Sequence, residues 1–201
     1  MIILDDQNNN DLTKLNIKKK AIFAIFYTKE KVKLFNNLND PFVKNCIKEI
    51  KGYQFILCFR HDDRLGFIGG TIENNENEKE TLLREIKEET PGFFEIVKPK
   101  IENNDFKKVY SYHNKKQFLV IYYLVPFSQD EMLKLKEKIP SSLTSEITGI
   151  NFVNVYDKET HLKLFGKKFK EKGVYSLLKS NQIIDKEIIK FLINKIFKIK
   201  L

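Results

Sequence analysis

Apolar residues occur along the chain in short runs that predict alternating strands and helices. Continuous or alternating apolar runs predict β-strands at 19–28, 53–60, 64–72, 93–98, 106–112, 117–126 and 147–156. Helices are predicted at 129–138, 158–180 and 185–199, in addition to one that begins after Asn77. A helix between strands, followed by further helices, predicts an α/β or α+β sandwich, in which a β-sheet packs between helices.

The helix after Asn77 carries clear boundary signals. Asn77 with Glu80 three residues later matches a capping box, in which the two residues bond each other's backbone N–H groups. Pro91 predicts the end of this helix, because the residue before a proline is pushed out of the α region.

No internal repeat or linker divides the chain. The first 17 residues give no readable signal. The predicted organisation is therefore an N-terminal segment of unclear structure at 1–17 and one domain at 18–201 that includes the C-terminal helices.

Nothing in the sequence predicts a membrane or secreted protein. No segment approaches the roughly 20 consecutive apolar residues that span a bilayer, and the start lacks the basic-then-apolar order of a signal peptide. Cys46 and Cys58 stand in no CxxC pair, which suits a reducing compartment and predicts buried thiols. We expect a soluble intracellular protein, in the cytoplasm or nucleus, with no membrane partner.

Lysine dominates the charged residues of the 201-residue chain, whose formal net charge is +9 and whose pI is about 9.3. A basic surface attracts phosphate backbones, which favours nucleic-acid binding. Only three of the 36 basic residues are arginine, however, so a biased coding composition also explains the excess. The lysine-rich stretch 158–173 is correspondingly either a surface that guides RNA or a solvated helix.

The arginines and glycines are concentrated in one region. The three arginines are Arg60, Arg64 and Arg84, within 25 residues of one another. A guanidinium offers a planar fork that lysine lacks, so these positions are expected to bind carboxylate or phosphate. Half of the eight glycines lie in or beside the same region, at Gly66, Gly69, Gly70 and Gly92. The chemistry is therefore expected here.

Glu85, Glu88 and Glu89 form a carboxylate cluster on the predicted helix. At about 100° per residue they fall within an arc of roughly 100°, with Glu78 near its centre. Crowded carboxylates repel one another, and a hard dication such as Mg²⁺ or Mn²⁺ relieves the repulsion. The backbone carbonyl of Gly69 is a further candidate ligand. The alternative is an ordinary solvated helix with Glu–Lys pairs.

The spacing around this cluster resembles the Nudix box, G-x5-E-x7-R-E-U-x-E-E-x-G-U. The matching residues are Gly70, Glu76 and Arg84-Glu85-Ile86-x-Glu88-Glu89. The chain departs from the box at Pro91, which stands where the box has glycine, with Gly92 one place later. Because proline cannot adopt a positive φ, Gly92 is expected to supply a left-handed residue if the turn needs one.

This resemblance implies a Nudix fold, with a mixed β-sheet between α-helices, and hydrolysis of a diphosphate that links a nucleoside to another group. It implies Mg²⁺ or Mn²⁺ as cofactor, held chiefly by Glu85 and Glu89 with help from Glu88. Arg84 would orient a carboxylate through a forked ion pair, and Glu76 would steady the loop before the helix. The metal lowers the pKa of a bound water, which then attacks phosphorus.

Two further segments, 60–73 and 146–156, resemble the Nudix branch that removes caps from small nucleolar and messenger RNAs and hydrolyses inosine and related purine nucleoside diphosphates. The resemblance spans about residues 18–180. It implies that Glu146 completes the metal site or acts as a base, whereas the alternative is a solvated loop carboxylate. It also implies a homodimer.

The same branch implies a substrate-binding group at Phe23, Arg60, Phe67 and Gly70. Phe23 replaces a histidine of that branch but keeps a stacking face. Core packing is the alternative for both phenylalanines, because it is their commoner role.

The remaining polar candidates are expected to be structural. Arg64 is predicted to pair with Asp62 or Asp63. The three histidines are His61, His113 and His161. They show no metal-ligand spacing and are predicted to lie at the surface or to be hydrogen-bonded.

Two functional hypotheses follow. In the first, the protein is a metal-dependent hydrolase of RNA caps or of purine nucleoside diphosphates such as inosine diphosphate. In the second, it is a catalytically silent Nudix domain that binds RNA or a nucleotide. The retained glutamates favour the first hypothesis, because a binding module does not need so costly a cluster of like charges.

Overall fold

The computed structural model describes residues 2–5, 12–33, 49–156, 186–196 and 198. The strands are β1 Ile2–Asp5, β2 Lys19–Lys33, β3 Glu49–Arg60, β4 Leu65–Gly66, β5 Ile68–Thr71, β6 Lys107–His113, β7 Phe118–Phe127 and β8 Ile147–Tyr156. The helices are α1 Glu78–Glu89, α2 Phe94–Glu102, α3 Gln129–Glu137 and α4 Lys186–Phe191, the last continued by a π-helical turn at Leu192–Ile196.

The strands form one mixed sheet in which β2 is central. The order is β1-β6-β7-β2-β3-β4, with β5 also paired to β2 and β8 to β3. β2 runs parallel to β7, and on its other side it pairs antiparallel with β5 over Ala21–Ala24 and with β3 from Tyr27 onward. The short glycine-containing strand β5 is thereby fixed beside the middle of the sheet.

Helices cover both faces of the sheet. Alternate residues of a strand point to opposite faces, and β2 accordingly sends Ile22, Ala24 and Phe26 into one cluster of buried residues and Ile25 into another. The first cluster contains Leu82 and Ile86 of α1, Val97 and Ile101 of α2, and Met132 and Leu135 of α3. The second contains Ile188, Ile189, Leu192 and Ile193. The predicted sandwich of a sheet between helices is confirmed.

The capping box at the start of α1 is also confirmed. The Asn77 side chain accepts from the Glu80 backbone N–H at 3.0 Å, and the Glu80 carboxylate accepts from the Asn77 N–H at 2.9 Å. The helix ends at Glu89, with Thr90 as its C-cap before Pro91. Its register is therefore fixed at both ends, which fixes the direction of its glutamates.

The strand predicted at 93–98 is wrong, because Phe94–Glu102 is the helix α2. Phe93, Val97 and Ile101 are fully buried and recur every four residues, which places them on one side of a helix. The apolar run "FFEIV" is too short for its periodicity to distinguish strand from helix.

The expectation that Gly92 supplies a left-handed residue is also wrong. Gly69 is the one glycine in the described part of the chain with a positive φ, and Pro91–Phe93 forms a 3-10 turn that leads into α2. Gly92 instead permits close packing, since a Cβ there would lie 2.8 Å from the Lys138 carbonyl oxygen and against the hydroxyls of Ser141 and Ser142.

Other predictions differ in detail. The strand predicted at 64–72 is divided into β4 and β5. Ile2–Asp5, where no element was predicted, pairs antiparallel with β6 at the edge of the sheet. Cys58 is buried as predicted. Cys46, His161, the stretch 158–173 and the helix predicted at 158–180 lie outside the described residues, and the division of the chain at residue 18 stays a prediction.

None of the helices in the described ranges combines the length and the apolar character needed to cross a lipid bilayer.

Replacing Gly92 with alanine is expected to lower the free energy of unfolding by about 1–3 kcal/mol, because the added Cβ has no room beside Lys138. Chemical denaturation measures this change. Gly149→Ala is the matched control, since a Cβ at that position would meet Phe59 no closer than 3.4 Å. We expect that control to change stability by less than about 0.5 kcal/mol. Equal losses in both variants would contradict the packing role of Gly92.

Candidate active site

Two glycines of β5 let the end of α1 approach the sheet closely. Gly69 has a φ of +141°, and a Cβ there would lie 2.7 Å from the Phe23 Cα. Gly70 faces the carboxylate of Glu85, whose Cδ would lie 2.7 Å from an added Cβ. Both positions therefore exclude a side chain, and the space is used to bring Glu85 and Glu89 against the β5 backbone.

Glu89 is the most enclosed carboxylate of the site, with 3% of its surface exposed. Its Oε2 accepts a hydrogen bond from the Gly69 N–H at 2.8 Å, and its Oε1 lies 3.9 Å from Arg60 Nη1. Burial raises the pKa of Glu89 to about 7; the charges of Glu85 and Glu146 act in the same direction, whereas the Gly69 N–H and Arg60 oppose the rise. A carboxylate is thus kept in a dry position with one hydrogen bond and one distant cation.

Arg84 binds three glutamates at once. Its Nε and Nη2 donate to the two oxygens of Glu76 at 2.8 and 3.1 Å, which is a forked contact. Its Nη1 donates to Glu85 Oε1 at 2.9 Å and to Glu88 Oε2 at 3.0 Å. Contact with Glu76 is the main reason that the pKa of Arg84 is raised, and Arg84 in turn lowers the pKa of Glu76. The forked ion pair predicted for Arg84 is present, with Glu76 as its partner.

Glu85 and Glu146 lie in the same electrostatic environment as Glu89. Burial raises the pKa of Glu85; Arg84 opposes the rise, and the charges of Glu88 and Glu146 add to it. Glu146 is solvent-exposed and directly precedes β8. The charges of Glu88 and Glu146 thus act on Glu85, and those of Glu85 and Glu146 act on Glu89. The assignment of these four residues to a metal site stays a prediction.

Thr144 connects the Glu146 turn to the end of α1, and no sequence signal identified it. Its hydroxyl donates to the Glu89 carbonyl at 3.2 Å and accepts from the Ile147 N–H at 3.1 Å. The turn is held from the other side as well, since the His61 N–H donates to the Glu146 carbonyl at 2.9 Å. These bonds hold the turn that carries Glu146 against the end of α1.

Glu78 does not join the carboxylate cluster, although the helical arc placed it there. Its Oε2 pairs with Lys108 Nζ at 2.6 Å and accepts from the Tyr123 hydroxyl at 3.0 Å. Glu78 lies two helical turns before Glu85, so it shares the direction of the cluster but not its position.

The predicted substrate-binding residues differ in their exposure and their contacts. Phe23 is half-buried and stacks on Tyr122 with ring centroids 6.0 Å apart. Phe67 is 2% exposed and meets the same tyrosine edge-on, so it is a core residue in this conformation. Arg60 turns towards Glu89, and its buried Nε has no hydrogen-bond partner. Substrate binding by Phe23, Arg60, Phe67 and Gly70 stays a prediction, and the burial of Phe67 does not support it.

The structural pairs are as expected. Arg64 forms an ion pair with Asp62, through its Nε at 2.8 Å and also through Nη2. His61 is exposed, and His113 lies beside the Phe118 ring.

The donor set suits a hard dication in kind, because it consists of oxygen atoms from Glu85, Glu88, Glu89 and Glu146. Among the residues that the structure describes, no three Asp, Glu, His or Cys side chains stand at metal-holding spacing. Arg84 instead supplies the positive charge that Glu85 and Glu88 share. The Gly69 N–H is used by Glu89, and the predicted role of its carbonyl as a ligand is untested.

Comparison with known proteins gives a family match over most of the chain. Residues 20–179 match the Nudt16-like family model, described as U8 snoRNA-decapping enzyme-like. A search of curated proteins gives no match.

Three solved structures are similar to this chain at low sequence identity. A MutT/nudix family protein from Enterococcus faecalis shares 12% identity with a TM-score of 0.39, over 74% of this chain and 50% of that one. A C. elegans Ap4A hydrolase binary complex shares 17% identity with a TM-score of 0.39, over 77% and 94%. A mutT/nudix family protein from Listeria innocua shares 14% identity with a TM-score of 0.36, over 72% and 82%. The chain thus spans half the length of the Enterococcus faecalis protein.

The metal-free protein is expected to lose stability as the pH rises through the range in which Glu89 ionises. The pKa of Glu89 in the folded state, about 7, is above the ordinary value of 4.5. Between these pH values the folded state holds a proton that the unfolded state has lost. The free energy of unfolding therefore falls as the pH rises through this range. Glu89→Gln removes this loss and keeps an acceptor for Gly69. We expect the stability of the variant relative to wild type to rise by up to about 3 kcal/mol between about pH 5 and 8.

Denaturant unfolding in the presence of a chelator measures this difference. Glu88→Gln is the control, because the Glu88 side chain is 59% exposed on the same helix. A constant difference between Glu89→Gln and wild type over the whole pH range would show that Glu89 is not held in a desolvated position.

Proposed function

Because the chain belongs to the Nudt16-like family of Nudix hydrolases, we propose that it is a divalent-metal-dependent enzyme that cleaves a diphosphate linkage in capped RNA or in a purine nucleoside diphosphate such as inosine diphosphate. The observation that carries this proposal is the pair of desolvated carboxylates, Glu85 and Glu89, packed against Gly70 and Gly69. A fold gains no stability from such a pair without a cation, so the pair indicates a binding role.

In this proposal Glu85 and Glu89 hold Mg²⁺ or Mn²⁺, with Glu88 and Glu146 as further oxygen donors. When bound, the metal supplies charge neutralisation for the diphosphate and for the attacking water. The Gly69 N–H fixes one oxygen of Glu89 and leaves the other directed towards Arg60. The exposed carboxylate of Glu146 is the group best placed to accept a proton from water, because it is accessible and adjacent to the buried pair.

The second candidate is a catalytically silent domain that binds RNA or a nucleotide. One observation favours it: Arg84 already neutralises Glu85 and Glu88, and the described carboxylates do not stand at metal-holding spacing. Against it is Glu89, whose burial is costly and whose carboxylate accepts one hydrogen bond from the described residues, that of the Gly69 N–H. We therefore propose the enzyme.

Turnover assays with capped RNA, inosine diphosphate and dinucleoside polyphosphates, each with Mg²⁺ or Mn²⁺, distinguish the candidates. The proposal expects metal-dependent release of a nucleotide product from capped RNA or inosine diphosphate. Absence of turnover on all three substrates, together with tight RNA binding, would support the silent domain.

With the substrate that the protein turns over, such as inosine diphosphate, Glu89→Gln is expected to lower kcat by about 100-fold or more while the protein stays folded. Glu146→Gln is expected to lower kcat by a similar factor, because it removes a general base. Glu78→Gln is the matched control, because Glu78 lies on the same helix but pairs with Lys108. We expect that control to keep nearly full activity. Full turnover by Glu89→Gln would refute the ligand assignment.

The homodimer and the intracellular location also remain proposals. Size measurement in solution tests the first, and localisation of the tagged protein tests the second.

A further inference from the structure

Five exposed lysines form a basic surface at one end of the sheet, which we call the lysine track: Lys18, Lys19, Lys20, Lys115 and Lys116. Among the described residues, none of the five forms an ion pair. The segments that carry them, 12–20 and 114–118, contain no acidic residue. Within the described part of the chain the track therefore carries positive charge without a paired carboxylate, in contrast to Lys100 and Lys108, which pair with carboxylates.

Backbone hydrogen bonds hold the two parts of the track together. The N–H groups of Lys18 and Lys19 both donate to the Gln117 carbonyl, at 2.8 and 3.3 Å. Gln117 has a φ of +49° and closes the 3-10 turn Asn114–Lys116. The lysines at the start of β2 and those before β7 are thus fixed side by side.

The track leads to the candidate active site along β2. The Ile72 N–H donates to the Lys20 carbonyl at 3.0 Å, and Ile22 pairs with Gly70 in the next part of the ladder. At about 3.3 Å per residue, Lys18 lies roughly 17 Å along the strand from Phe23, the partner of Gly69. The positive surface thus begins at Lys20, two residues along β2 from Ile22, the partner of Gly70, and extends away from the candidate site.

Lys20 also lines a cavity of about 460 Å³ between the track and the start of α1. Glu76 and Glu78 line the same cavity, where Glu76 pairs with Arg84 and Glu78 pairs with Lys108, which also lines the cavity. Lys79, whose ammonium donates to the Glu102 carbonyl, adds a further positive charge. The cavity therefore does not interrupt the positive surface with a net negative charge.

We propose that the lysine track binds the phosphodiester backbone of an RNA whose 5′ end lies in the active site. This inference rests on the proposed function and adds to it a binding surface for the RNA chain outside the carboxylate cluster. A row of compact, solvated lysine charges attracts successive phosphates without reading sequence. A free nucleoside diphosphate at the carboxylate cluster does not extend to the far end of the track.

The test compares the quadruple variant Lys18→Gln, Lys19→Gln, Lys115→Gln, Lys116→Gln with wild type. Lys20 is kept because it lines the cavity beside Glu76. Fluorescence anisotropy with an unstructured, uncapped single-stranded RNA measures Kd over a range of salt concentrations. Each lysine that neutralises a phosphate contributes about 0.7 to the slope of log affinity against log salt, so the variant should lose about 3 units of slope and bind at least about tenfold more weakly at low salt.

The matched control removes four exposed lysines elsewhere, as Lys29→Gln, Lys134→Gln, Lys138→Gln and Lys195→Gln. It changes the net charge equally and is expected to keep most of the wild-type slope. Equal losses in the two quadruple variants would show that the binding depends on net charge and would overturn the track.

Kinetics separate this inference from the proposed function. The track variant should raise KM for capped RNA at least about tenfold and leave kcat/KM for inosine diphosphate unchanged. If wild type turns over no substrate but the RNA-binding difference persists, the enzymatic proposal fails and the track stands. If the variant binds and cleaves capped RNA as wild type does, the lysine track is refuted as an RNA-binding surface. Binding of an acidic protein would then be the remaining explanation for the exposed lysines.

Discussion

The structure of the site depends on the burial of one carboxylate, that of Glu89, against the backbone of β5. The hydrogen bond from the Gly69 N–H to Glu89 joins the end of α1 to the centre of the sheet. This contact requires glycine at 69, because the β2 backbone is too near for a side chain, and the neighbouring Glu85 requires glycine at 70. β5, α1 and the loop between them therefore enclose a position that is unfavourable for an anion unless a cation binds beside it.

Arginine and lysine have different roles in this molecule. Arg84 uses its fork to hold Glu76 while its third nitrogen reaches Glu85 and Glu88, and Arg60 approaches Glu89 from β3. A lysine at position 84 has no planar fork and cannot reproduce this set of contacts. The exposed lysines of the lysine track make no such contacts and suit long-range attraction of a polyanion.

The sequence predicted the parts of the fold and site that depend on local spacing. The capping box at Asn77, the end of α1 before Pro91 and the association of Glu85, Glu88 and Glu89 follow from chemistry within one helix. Predictions that depend on tertiary neighbours were less successful. The helical arc gave the direction of Glu78 but not its partner Lys108, which comes from a distant strand. The five-residue run at the start of α2 carries too little periodicity to identify a helix. The role of Thr144 depends on a contact across 55 positions of the chain.

Calorimetric titration of the metal-free protein with Mn²⁺ tests the central claim most directly. Because burial raises the pKa of Glu89 to about 7, binding of the cation near about pH 6 should displace a proton. The buffer takes up that proton, so the heat of binding should depend on the ionisation enthalpy of the buffer near about pH 6 but not at alkaline pH. The account predicts saturable binding with that buffer dependence. Absence of binding, with or without nucleotide, or binding with no proton release at the lower pH, would contradict it.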